Sequence, residues 1–342
     1  MKSDRLISLM SLWGIILVVL GHSGFEETIV MKQLSALHTW IYSFHMPLFF
    51  FISGYLYALT NSDFSQIPFQ GFMKKKFLRL YIPYIILGTI IFLIKYIFSG
   101  LSHVERIFSV DDFLLMFIAP HWNNSTMGYL WYIVTLFFLF LIISVLSKCG
   151  INLRKTSISI IIIILLWGIK YNLPSNDLFK ICNIASLVWY IPFFVIGIQY
   201  NKHKSIFKLE KSGIKAAILF AISVVGLFIP YSSCFLNYII KITQAIAGIA
   251  FSIYFCNTLL SFKYIRDQIL PFGDITYTIY LMSFFGQYAI KILTINILNL
   301  HWSICVISMF SAGIIFPIFI YSVYKTNSVL QNNKLIKLVI GV

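Results

Sequence analysis

Three histidines fall within one short stretch of the chain: His22, His38 and His45. The first ends an apolar run, "ILVVLGH". The other two lie in "LHTWIYSFHMPLFFFISGYLY", residues 37 to 57. They are seven residues apart, so on a helix they share one stripe. An imidazole with an ordinary pKa of ~6.5 takes up and returns a proton at neutral pH. A second constellation is basic, "MKKKFLRLYIPY" at 73–84. On a helix Lys75 pairs with Arg79 at i,i+4, and Lys76 with Arg79 at i,i+3. Such a face fits the phosphates of a polyanion, which arginine grips through two parallel bonds. Each feature has a plain alternative. A lone histidine can sit at an interface, and a basic run can be a topological anchor. Ser53 and Gly54 can simply be small residues where helices pack.

The elements that position these groups must be membrane helices. Apolar residues make up 59% of the 342, and charged residues only 11%. Soluble domains run near 45–50% apolar and 25% charged. The 33 Phe and 20 Tyr suit lipid-facing and interfacial positions. A hydrocarbon core of ~30 Å takes about 20 helical residues. Ten segments qualify: 6–23, 36–60, 79–98, 128–147, 156–171, 185–200, 213–230, 237–260, 275–295 and 302–325. The expected fold is therefore all-α, a polytopic membrane helix bundle of about ten spans with both termini cytoplasmic. Residues 1–325 form one transmembrane domain, and 326–342 a short cytoplasmic tail. Arg5 to His22 is seventeen residues, ~26 Å of helix, which carries His22 to the outer edge of the hydrocarbon. His38 and His45 enter from that same side. Pro47 withholds a hydrogen bond from the Ser43 carbonyl and is expected to kink the helix beside His45.

Charge position decides what the net charge of +15 means. With a cytoplasmic N-terminus, nineteen of the 26 Lys and Arg lie inside. Six of the eleven acids, Glu26, Glu27, Glu105, Asp111, Asp112 and Asp177, lie outside. That is the positive-inside pattern and gives no reason to expect nucleic acid as a partner. The five cysteines have no CxxC or metal-ligand spacing and read as small apolar residues, so no metal is expected. Residues 1–23 loosely fit a signal peptide, but the apolar run is long for one.

Taken together and in order, "GIILVVLGH" (14–22), "FHMPLFFFISGYL" (44–56), "KKFLRLYIPY" (75–84) and "LWYIVTLFF" (130–138) resemble the integral-membrane acyltransferase 3 family. "ITYTIYLMSFF" (275–285) is a weaker echo. The resemblance implies transfer of an acyl group, usually acetyl, from cytoplasmic acyl-CoA to a hydroxyl on an extracytoplasmic glycan or its lipid-linked precursor. It implies a bacterial cytoplasmic membrane, membrane lipids as surroundings, and acetyl-CoA as co-substrate. Nothing indicates an oligomer. His22 occupies the place of the family's catalytic histidine, and His45 matches the Phe-His-Met-Pro version of one branch. Lys76 and Arg79 match the basic pair of the donor side, with Lys75 beside them. Ser53 and Trp131 fall in matching stretches as substrate or structural support. Two positions depart. Ser11 stands where an arginine is frequent, almost three turns below His22 on the same stripe. Ser283 stands where a late histidine is expected after Tyr280. Some relatives carry an appended hydrolase-like domain, which these 342 residues do not include.

The expected mechanism follows from these assignments. His22 takes the proton of the acceptor hydroxyl as it attacks the thioester, or alternatively forms an acyl-histidine. His45 orients His22 or donates to the developing oxyanion. Lys76 and Arg79 hold CoA phosphates at the inner end, and the pantetheine arm reaches toward His22. The outer stretch 99–127, with Asp111, Asp112, His121 and Trp122, is a candidate sugar contact. The rival expectation is a transporter or flippase for a lipid-linked glycan. It would line a central route with charge and repeat its halves. Here the charges gather at the ends of spans and no repeat is evident.

Overall fold

A computed structural model of the chain describes residues 4–24, 28–60, 68–97, 110–119, 128–174, 176–205, 212–229 and 233–342. Among them the regular structure is helical, with no strand. The α-helices are α1 (Arg5–Gly21), α2 (Thr28–Thr60), α3 (Phe69–Lys76), α4 (Ile82–Ile97), α5 (Val110–Met116), α6 (Trp131–Lys148), α7 (Thr156–Asn172), α8 (Ile184–His203), α9 (Gly213–Val225), α10 (Cys234–Leu259), α11 (Thr276–Lys291), α12 (Trp302–Thr326), α13 (Ser328–Asn332) and α14 (Lys334–Ile340). The described residues of each of the ten apolar segments include one of these helices for most of their length. Among the described residues six stretches are long and apolar enough to cross a membrane: Phe69–Ile94, Gly128–Lys148, Leu178–His203, Cys234–Leu259, Ile265–Ile297 and Trp302–Thr326. Arg5–Gly21, Thr156–Asn172 and Gly213–Val225 are shorter apolar helices. Short polar side chains set several starts. Asp4, Ser212 and Ser233 each accept an amide of the first turn, at 3.2 Å, ahead of α1, α9 and α10. These amides have no partner inside the helix, so the cap supplies one.

The chain divides into two compact units, Met1–Tyr57 with Ile196–Val323, and Ala58–Val195 with Tyr324–Val342. In the first, α1 is enclosed and packs on α10 and α11. Met10, Ile15 and Val19 are fully buried along its length. A helix apolar all round belongs in the middle of a bundle. Lipid gives helices no hydrophobic drive to associate, so packing and polar pairs do that work. Trp13 Nε1 donates to Ser252 Oγ at 3.2 Å, and Trp40 Nε1 to Ser223 Oγ at 2.9 Å. These bonds tie α1 to α10 and α2 to α9.

At the N-terminal end of α1 the Tyr55 hydroxyl donates to Asp4 Oδ2 at 2.5 Å, and Lys204 pairs with the same carboxylate. Burial alone would raise the Asp4 carboxyl; the bonds from Lys204 and Tyr55 and the lysine charge outweigh it and hold it below its usual value. Burial likewise lowers Lys204, and its bonds to Asp4 and Tyr55 reverse that, leaving it raised. The Asp4 contribution to stability is complete above the ordinary carboxylate value of ~3.9 and is lost as pH falls through its lower folded value. The Lys204 contribution is complete below ~10.4 and is lost as pH rises through its higher folded value. Asp4→Asn keeps a cap but loses the charge. Screened by solvent on the lysine side, the pair is worth ~1 kcal/mol. The variant should melt about 2 °C below wild type at pH 7. Melting curves across pH should show that gap closing in acid; a constant gap would mean the charge is irrelevant.

In the second unit α3 runs through a π-helical turn, Phe77–Tyr81, into α4. Lys148 lies over Phe69, Phe140 packs on Phe72 and Phe137 on Tyr81, so this stretch is antiparallel to α6. The tail beyond 326 is helical as well: α14 packs on α4 and buries Ile340.

One local expectation is corrected. The second helix begins at Thr28, eight residues before the apolar segment. Its backbone also departs from helical values at Leu34 (φ −119°, ψ 17°), a break the sequence did not announce, while the helix runs on through Pro47. Residues 28–34 turn so that Val30, Met31 and Leu34 pack with Val306 and Trp302. Pro47 is buried among its neighbours and is accommodated without a break.

Candidate active site

The site is built on the last turn of α1. Helices end with carbonyls that have no partner in their own ladder. The His22 amide still reaches Val18 O at 3.1 Å, but Ser23 N bonds Leu20 O at 3.0 Å, three residues back. The Val19 carbonyl is therefore served by side chains. Ser23 Oγ donates to it at 2.7 Å, and Gln287 Nε2 of α11 also donates to it at 2.7 Å. The same Gln287 amide donates to Ser23 Oγ at 3.0 Å. Ser23 and Gln287 are buried. Gly313 of α12 closes over this knot: a Cβ there would lie 2.6 Å from Val19 and 2.9 Å from Gln287. The turn that carries His22 is thus clamped from two other helices.

His22 itself is the C-cap residue and is exposed. Its ring stands 6.1 Å from that of Tyr42, edge to face. Tyr42 in turn packs against His38, tilted 33°, at 4.0 Å and meets His45 edge to face at 4.8 Å. Three imidazoles therefore surround one phenol. His45 is buried, with Nδ1 2.7 Å from Ile41 O. A carbonyl only accepts, so Nδ1 carries the hydrogen, and in the neutral ring the lone pair sits on Nε2. Tyr42 and Gln287 were not among the residues read from the sequence as chemical. A signal for Tyr42 was present, since it lies four residues after His38 and three before His45 on their shared stripe. Gln287 is 264 residues from Ser23, and no local spacing reveals it.

The supporting residues fall as follows. Ser11 Oγ donates to Ile7 O at 2.9 Å, one turn back in its own helix. Ser53 is half-buried in α2. Ser283 is buried on α11, one turn before Gln287. The polar group that α11 sends to the end of α1 is thus supplied four residues after the place where the resemblance expects a histidine.

The basic cluster belongs to the second unit. Its expected common face is altered by the π-turn, which inserts extra backbone per turn and shifts the phase of the residues it contains. Lys75 and Arg79 are exposed. Lys76 is half-buried, its ammonium 3.9 Å from the centroid of Phe140 and 5.1 Å from that of Phe72. A cation over two ring faces is held by their quadrupoles. Trp131 begins α6 half-buried, its ring 5.4 Å from that of Tyr190. Trp131 precedes Phe140 by nine residues, ~13 Å along the helix axis. The expected sugar contacts His121 and Trp122 lie outside the described residues, as does the side chain of Asp112; Asp111 is exposed on α5. Among the described residues no three His, Cys, Asp or Glu side chains are placed to hold a metal ion.

Set beside known protein families, residues 7–322 match the model described as an acyltransferase domain. No curated protein and no solved structure matches the chain.

Proposed function

The chain belongs to the acyltransferase 3 family, and from that premise we propose that this helical membrane acyltransferase is an O-acetyltransferase acting on an extracytoplasmic glycan or its lipid-linked precursor. Acetyl-CoA is the donor, supplied from the cytoplasm of a bacterium. The observation that carries this reading is His22. An imidazole is presented at the end of an enclosed, apolar helix, and two other helices are spent on holding that end in place. The acceptor hydroxyl gives its proton to His22 while its oxygen attacks the thioester carbon. The tetrahedral carbon then expels the CoA thiolate, which takes the proton from the imidazolium. His45, fixed by its bond to Ile41, holds the Tyr42 ring beside His22. Ser11 and Ser53 serve packing, and Trp131 supports the second unit.

The topology proposed with this function has ten spans and cytoplasmic termini. The six long apolar stretches, the three shorter apolar helices and the 33-residue α2 support that count. Residues 1–325 then form the acyltransferase domain. Lys75, Lys76 and Arg79 hold the phosphates of CoA. Lys75 and Arg79 are exposed, and Lys76 lies close enough to Arg79 to feel its charge. Arg79→Ala should raise KM for acetyl-CoA about tenfold, the worth of one charge-assisted hydrogen bond. It should leave kcat close to wild type, because that binding is equal in ground and transition states. Steady-state kinetics on purified protein decide the point, and an unchanged KM would remove Arg79 from the donor site.

The test of the function itself uses [14C]acetyl-CoA and surface glycan from cells that lack the chain. Purified protein should place base-labile label on the glycan. Glycan that is exported or lengthened without gaining acetyl would overturn the reading.

A further inference from the structure

Building on the O-acetyltransferase reading, we propose that Tyr42 is a further catalytic residue, its hydroxyl donating a hydrogen bond to the thioester carbonyl oxygen as that oxygen gains charge. Four observations lead there. The Tyr42 hydroxyl lies 3.4 Å from the carbonyl of Gly21, the residue immediately before His22. It therefore stands next to the proposed base. That distance is long for an O–H···O bond, whose mode is ~2.7–2.8 Å. An exposed residue whose hydroxyl reaches a chain carbonyl at that point can also reach a substrate carbonyl placed there.

The ring is placed from three sides. His38 packs on it at 4.0 Å, His45 meets it edge-on at 4.8 Å, and His22 does so at 6.1 Å. The edge of the ring also rests against Gly21, where a Cβ would fall 3.0 Å from its Cε2. The glycine of the Gly-His pair thus makes room for the tyrosine at the point where the base emerges. A fixed donor is what electrostatic catalysis requires, since its orientation is settled before charge develops.

Tyr42 is also reachable. It is 41% exposed, while Phe44, two residues on and on the other face of the helix, is completely buried. The buried polar groups in the same region are already engaged: Ser23 and Gln287 on the Val19 carbonyl, and His45 on Ile41.

The electron and proton flow balances. The acceptor oxygen forms a bond to the carbonyl carbon, and the π pair moves onto the carbonyl oxygen. Tyr42 O–H bonds to that oxygen but keeps its proton. His22 takes the acceptor proton. When the pair returns, the C–S bond breaks and the thiolate receives the proton from His22. Tyr42 ends unchanged.

Tyr42→Phe tests this, since it keeps the ring on His38, His45 and Gly21 and removes only the hydroxyl. The full chain is purified and assayed with acetyl-CoA and surface glycan from cells lacking the chain. The expected result is a kcat lower by about 10²-fold, the usual loss for one oxyanion donor. KM for acetyl-CoA and the position of the pH–rate limbs should stay with the wild type. Wild-type kcat in Tyr42→Phe, with activity lost only in Tyr42→Leu, would assign the ring to packing and overturn the proposal while leaving the O-acetyltransferase reading intact. A wild-type chain that transfers no acetyl at all would overturn both.

Discussion

His22→Ala is expected to accumulate in the membrane at wild-type abundance and to lose acetyl transfer by about 10²–10⁴-fold, the range for removal of a general base. The two halves of that expectation rest on different observations. The side chain is exposed, so its loss opens no cavity in the core. The backbone bond from residue 22 to Val18 O is indifferent to the side chain. The turn is held by Ser23 and Gln287, both outside the substitution. Only the chemistry should suffer. Parallel assays of abundance and of label incorporation check this. A variant that is both scarce and inactive would show that His22 is structural, and one that is abundant and active would show that it is idle.

Gln287→Leu is the second large effect, and it acts at a distance. The amide makes two of the bonds that gather the end of α1. Leucine fills a similar volume but donates nothing. The Val19 carbonyl then keeps only Ser23, and the turn carrying His22 loses its tie to α11. Leaving a buried acceptor short of a donor costs about 1–3 kcal/mol. Displacing a catalytic group by ~1 Å costs about 10²-fold in rate. The expected phenotype is a kcat lower by about 10²-fold with KM for acetyl-CoA near wild type. Gln287 is then a positioning residue, acting through His22. Double-mutant analysis separates this from simple unfolding: added to His22→Ala, Gln287→Leu should cost almost no further activity. A full additional loss in the double variant would place Gln287 in some other role.

The comparison of sequence and structure has a physical pattern. The helices were legible because lipid demands long apolar runs, and such runs are visible without any knowledge of packing. The boundary of α2 was not, because Thr28–Ser35 is too polar to read as a span. That stretch is helical because Val30 and Met31 find Trp302 and Val306 on a distant part of the chain. The break at Leu34 follows from the same long-range contact. His22 and His45 could be singled out from residue type and position alone. Tyr42 lay on their stripe, yet a tyrosine in an aromatic-rich helix carries no mark of its own. Gln287 was invisible, since only the fold brings α11 to the end of α1. The face shared by Lys76 and Arg79 was drawn with α-helical spacing, and the π-turn at Phe77–Tyr81 leaves no signature in "FLRLY" that periodicity would catch.

The most direct measurement encloses [14C]acetyl-CoA in right-side-out membrane vesicles bearing the chain, with acceptor glycan outside. The account predicts base-labile label on the outer glycan from wild-type vesicles and almost none from His22→Ala vesicles holding equal protein. Label appearing on the glycan at the same rate from both would contradict it.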